Sequence, residues 1–150
     1  MIRSTALLLT VLTGFSGLVY EVAWQKYLAT LLGSHAEATA AVLAIFLGGL
    51  SVGYALFGRI TRELSDRSAR SGRPLRLLGF YGFVEASIGV YALLFPTLFG
   101  VAQWLSLFAP FHAAVSFIFD VLLTVLLIGP PAVLMGGTIP ILTLALAEDL

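Results

Sequence analysis

The sequence predicts an all-α membrane protein, a four-span helical bundle, and three observations predict it. Hydrophobic residues make up 59% of the 150 positions and charged residues only 11%, whereas a soluble domain carries about 25% charged residues. Between Arg3 and Arg59 only three charged side chains occur, Glu21, Lys26 and Glu37. Six arginines then fall within eighteen residues: Arg59, Arg62, Arg67, Arg70, Arg73 and Arg76. The apolar flanks are long enough to cross a bilayer core, which takes about 20 helical residues. Lys and Arg accumulate on the cytoplasmic side of membrane spans, so the cluster places residues 59–76 and the N-terminus inside. Four spans return the C-terminus, with Glu148 and Asp149, to the same side.

The first span runs from about residue 5 to 27 and continues as helix to Leu32. Its apolar run outlasts the 7–15 residues of a signal peptide core, so it reads as a retained span. Trp24 and Tyr27 suit an interfacial belt, and Lys26 can snorkel outward. A short outer loop, Gly33-Ser34-His35, leads to a second span over 37–57. The arginine segment, closed by Gly72 and Pro74, reads as an inner loop. The third span covers 77–96, and the apolar connection from Gly100 to His112 reads as a short interfacial helix. The fourth stretch, about 114–145, is too long for one crossing, since 35 helical residues reach about 50 Å against a core of about 30 Å. Gly129, Pro130, Pro131, Gly136, Gly137 and Pro140 interrupt it. Proline removes a backbone donor and clashes with the preceding turn, so this span is expected to break near Ile128. The whole forms a single transmembrane domain.

Two rows of small residues mark the second span: Ala36, Ala40, Ala44 and Gly48, and beside them Gly49 and Gly53. Such rows let helix backbones approach closely in lipid. They serve packing within the chain or contact with an oligomer partner or another subunit. Intramembrane acids are the candidate functional groups. Glu85 lies about nine residues into the third span, with no arginine at that depth. An ionised carboxylate there is costly, so Glu85 is protonated, paired or in a wet cavity. It is either a proton relay or cation site, or a neutral acid hydrogen-bonded to a Ser, Thr or Tyr of a neighbouring helix. Glu21 lies toward the outer end of the first span with Lys26 as a charge partner, and Asp120 sits toward the outer face of the fourth.

Other chemistry is excluded or unsupported. There are no cysteines, so thiolate catalysis, disulfides and Cys-based zinc sites are out. His35 and His112 have no spacing that makes a metal or haem site, and no nucleotide-binding glycine loop or catalytic triad appears. No cofactor or metal is expected. The arginines flank membrane spans without interleaved aromatics, which argues against nucleic acid and suits anionic lipid headgroups.

Four segments together resemble one family. They are Gly14-Phe15-Ser16-Gly17-Leu18-Val19-Tyr20-Glu21-Val22-Ala23-Trp24, Phe46-Leu47-Gly48-Gly49-Leu50-Ser51-Val52-Gly53, Gly89-Val90-Tyr91-Ala92-Leu93-Leu94-Phe95-Pro96 and Pro130-Pro131-Ala132-Val133-Leu134-Met135-Gly136-Gly137-Thr138-Ile139-Pro140. In that order they are similar to the span signatures of membrane-embedded spermidine synthase-like proteins, also described as fused major-facilitator/spermidine synthase proteins. The resemblance implies a bacterial or archaeal plasma-membrane protein. It also implies an aminopropyltransferase-like domain, using decarboxylated S-adenosylmethionine and a polyamine, which these residues do not contain. None of that domain's catalytic residues maps onto a position here. The stretch from Gly58 to Arg73 loosely resembles the major-facilitator loop between spans two and three, with an insertion between Arg67 and Gly72.

Three functions follow as expectations. The first is a non-catalytic membrane module that anchors or assembles with a protein partner or as a homo-oligomer. The second is a small transporter, or part of one, for a cationic substrate such as a polyamine. The third is an accessory subunit of a larger membrane complex. With neither a soluble domain nor a convergent polar site, the chain is not expected to act as an enzyme by itself.

Overall fold

The computed structural model describes residues 2–32, 35–71, 77–108 and 113–148. They form four helices: α1 (Ile2–Leu32), α2 (His35–Ser71), α3 (Leu77–Phe108) and α4 (Ala113–Glu148). Three contain stretches long and apolar enough to cross a membrane, Thr39–Ser68, Gly79–Phe108 and Val115–Ala145. This architecture is compatible with an integral membrane protein. Every helix is longer than the roughly 20 residues a bilayer core requires, the shortest being α1 at 31 residues.

The tightest seam joins α2 to α4, and α4 lies between α2 and α3. Small residues make the seam. A methyl group built on Gly53 would fall on the Val133 carbonyl, and one on Gly136 would fall on the Leu50 carbonyl. Gly49 faces the Ala132 side chain, and the Phe57 ring lies over Gly137. Glycine on both helices lets one backbone rest on the other. In lipid that close van der Waals contact replaces the hydrophobic drive of a water-soluble core. Pairings of 49 with 132, 53 with 136 and 57 with 137 run in the same direction, so α2 and α4 are parallel.

α1 and α3 are parallel too. Thr13 meets Tyr81 and Glu85, Trp24 meets Phe95, and Tyr27 meets Phe99. Trp24 ties three helices together: it stacks on Tyr20 of its own helix and reaches Phe46 of α2 at 6.2 Å and Phe95 of α3 at 5.6 Å. It is only 2% exposed, so its ring belongs to the packed core of the bundle. Each such ring pair contributes about 0.5–1.5 kcal/mol beyond its buried area. Tyr27 stays exposed, edge-on to Phe95 and Phe99.

Three boundaries differ from expectation. The arginine segment is not a loop through its first part, because α2 continues to Ser71. No Gly or Pro falls between Gly58 and Gly72. Glu63 precedes Arg67, and Asp66 precedes Arg70, by four residues, the order that favours a helix. Arg70 in the last turn also suits the negative end of the helix dipole. α3 likewise carries through Pro96 to Phe108. From Gly100 to Phe108 the expected interfacial segment is thus the end of α3, and its remainder, 109–112, lies outside the described residues.

The third difference is the largest. α4 is one helix through Gly129, Pro130, Pro131, Gly136, Gly137 and Pro140, so the expected break does not occur. One physical reason is visible at Pro131. Its missing N–H leaves the carbonyl four residues back, that of Leu127, without its helical donor. The Tyr91 hydroxyl of α3 donates to that Leu127 carbonyl at 2.8 Å. A neighbouring helix thus satisfies the freed group, which is the condition for proline inside a membrane helix. Gly136 and Gly137 serve the α2 seam instead of a break.

Candidate intramembrane site

On α3, Tyr81 and Glu85 are four residues apart and share a face. Thr13 of α1 stands opposite them. Its Oγ1 donates to Glu85 Oε1 at 3.2 Å and lies 3.1 Å from the Tyr81 hydroxyl. A threonine hydroxyl has one proton. With Glu85 a carboxylate that accepts this proton, the Tyr81 hydroxyl is left to donate within the cluster, to Thr13 or to Glu85 itself. The result is one hydrogen-bonded cluster of Tyr81, Thr13 and Glu85. Tyr81 is buried and Glu85 half-buried. Glu85 thus has the threonine partner on a neighbouring helix that its structural reading requires.

The functional reading requires space for a ligand, and the structure provides it one hydroxyl away. Thr13 and Tyr81 line a cavity of about 470 Å³ shared by all four helices. Small-molecule sites span about 300–1,000 Å³, mostly apolar with a few placed polar groups. Here Phe46, Leu50, Met135 and Leu142 form apolar walls. Thr138 and Thr143 of α4 add the remaining hydroxyls. Each donates its proton to its own helix, Thr138 to the Met135 carbonyl and Thr143 to the Ile139 carbonyl, both at 2.7 Å. Gly14 and Gly17 open the α1 side, where an added Cβ would meet nothing within 4 Å.

The other candidates do not converge on this site. Glu21 is half-buried and Lys26 exposed, and no ion pair joins them among the described residues. Five residues turn a helix by about 140° beyond a full turn, so the two leave on different faces. Asp120 is half-buried on α4, and its Oδ1 is buried with no hydrogen-bond partner among the described residues. Thr124, one turn on, donates at 2.8 Å to the Asp120 backbone carbonyl and not to the carboxylate. Arg59, Arg62, Arg67 and Arg70 are exposed along the end of α2. Arg73, Arg76 and His112 lie outside the described residues. Among the described residues no group of three or more His, Cys, Asp or Glu side chains could hold a metal ion.

Sequence reasoning singled out Glu85 and passed over Thr13, Tyr81, Thr138 and Tyr91. Hydroxyls within apolar helices are a legible signal. Their pairing is not, because it depends on which faces meet.

No protein-family model, no curated protein and no solved structure matches the chain. The fold and the site define a class, an all-helical chain with three membrane-length apolar helices and a mostly apolar cavity beside a half-buried carboxylate.

Proposed function

We propose that this chain is a non-catalytic integral membrane module that holds a small organic cation within its bundle, in the manner of a transporter or part of one. In this reading α1 is the fourth span, both termini lie in the cytoplasm, and the arginine end of α2 rests among anionic headgroups. The observation that carries the reading is the cavity walled by Thr13 and Tyr81, with Glu85 directly behind Thr13. An intramembrane acid that faces the bundle interior marks a cation or proton site by default. Nothing else in the described chain supplies negative charge beside that cavity. The test is cation binding and uptake by purified protein in proteoliposomes. Glu85→Gln keeps the shape and a hydrogen-bond acceptor but removes the charge, and it is expected to abolish both. Uptake unchanged in Glu85→Gln overturns the reading.

A second reading, assembly with a partner as an anchoring module or accessory subunit, is favoured by a different observation. Ala40, Ala44 and Gly48 stand on an exposed face of α2, and nothing lies within 4 Å of a Cβ built on Gly48. The resemblance to spermidine synthase-like membrane proteins supports the same reading. The absence of native cysteine makes the test clean: Ala44→Cys crosslinked in native membranes, with mass spectrometry of the product. A product containing a partner chain supports assembly, and a product containing only monomer counts against it.

A further inference from the structure

The cavity discriminates by hydrogen-bond polarity as well as by size. Thr138 and Thr143 have committed their protons to backbone carbonyls of α4. With Glu85 a carboxylate, Thr13 commits its proton to Glu85, and Tyr81 commits its own within the same cluster, to Thr13 or Glu85. All four hydroxyls therefore offer the cavity lone pairs and no proton. A ligand head placed among them must donate. An ammonium does so best, because Glu85 sits behind Thr13 and a charged donor forms the stronger bond. The remaining walls are apolar and carry no second carboxylate. A polyamine, with an ammonium every few carbons, would leave charges against hydrocarbon at a high cost. One ammonium on an apolar body matches the lining.

The mouth shows how such a ligand arrives. Leu18 on α1 and Ile139 on α4 both border the cavity and are 61% and 58% exposed. The opening is thus lateral, between two helices and not at an end of the bundle. In a membrane it faces lipid. Gly14 and Gly17 widen it by lacking side chains where nothing else fills the space.

We propose that this cavity is a lipid-accessible site for a single-chain amphiphile with an N–H donor head, of the alkylamine class, entering between α1 and α4. The proposal rests on the cation-site reading above and narrows it. It requires binding, not movement across the membrane.

The experiment uses the full chain in lipid nanodiscs and a dodecylamine carrying a photoreactive diazirine in mid-chain. Labelled peptides are mapped by mass spectrometry, with unlabelled competitors. Saturable labelling of residues 13–18 or 138–143 is expected. Dodecylamine should compete at least about tenfold better than dodecyltrimethylammonium, a cation without an N–H, or dodecanoate, because an unmatched buried acceptor costs about that much. Gly17→Leu, whose Cβ meets nothing within 4 Å and whose longer side chain takes up space in the cavity that Gly17 lines, should abolish labelling. Thr13→Val should weaken it about fivefold, the worth of one hydrogen bond. Equal competition by dodecyltrimethylammonium or dodecanoate overturns the donor requirement. Stronger competition by spermidine overturns the amphiphile class while leaving the cation site standing. Labelling that never saturates overturns both.

Discussion

The two faces of α2 carry the same kind of sequence and meet opposite fates. Gly49 and Gly53 are buried against α4, where an added methyl would strike Ala132 or the Val133 carbonyl. Ala40, Ala44 and Gly48 point outward with open space beside Gly48. Spacing of four is common to both rows, so spacing alone does not decide which one packs. The deciding feature lies on the other helix. α4 brings Gly136 and Gly137 to the level of Leu50 and Phe57, and only the Gly49–Gly53 row meets them. A glycine row becomes a seam when its partner is also small.

The sharpest way to break this comparison is to fill each row. Gly53→Val should cost at least about 3 kcal/mol, since overpacking costs about 1–3 kcal/mol even where neighbours yield, and here the obstacle is backbone. Thermal unfolding in mild detergent should show the loss as a collapse of the folded fraction. Gly48→Val should stay within about 0.5 kcal/mol, as an unobstructed surface change does. Equal effects at the two positions would mean that the outer row is also packed.

Next in size is the hydroxyl chain that closes the loosely held α1 onto α3. Thr13→Val removes the hydroxyl that donates to Glu85 and bonds the Tyr81 hydroxyl. It should cost about 1–2 kcal/mol, between the usual intramembrane bond and the penalty for a stranded buried group. Protease protection of α1 would read that loss without disturbing the α2–α4 seam.

The proline repair predicts a smaller and more specific effect. Tyr91→Phe removes the donor to the Leu127 carbonyl and should cost about 0.6–1.7 kcal/mol. Pro131→Ala restores an N–H four residues after Leu127, so in that background Tyr91→Phe should cost almost nothing. A double-mutant cycle measures the difference directly. Additive effects would show that Tyr91 does not compensate for Pro131.

The smallest expected change has the opposite sign. Asp120 buries a carboxylate oxygen without a partner among the described residues, so Asp120→Leu should raise stability by about 1 kcal/mol if the group has only a structural place. A more stable protein that loses cation uptake would instead assign Asp120 a function.

Much of the architecture was legible in composition. Long apolar runs and few charges predict helices that must be covered by lipid, and the three membrane-length helices agree. The helical end of α2 was legible too, in the Glu63–Arg67 and Asp66–Arg70 spacing, but a charged cluster between spans reads first as a loop. The site was half legible. Glu85 stands out because an acid in an apolar helix is costly, whereas Thr13 and Tyr81 look like ordinary helix hydroxyls until α1 and α3 are set side by side.

By itself, the sequence determined what depends on each segment alone: which stretches are apolar and long enough for membrane helices, where the arginines gather, and that Glu85 needs an explanation. Only the tertiary structure decided what depends on a neighbour. At Pro131 it gave the freed Leu127 carbonyl a donor from another helix, the Tyr91 hydroxyl. It buried Trp24 where three helices meet. It assigned one glycine row to the seam and left the other exposed. The common physical reason is that periodicity reports a face, while the energy of that face belongs to the pair of surfaces that touch.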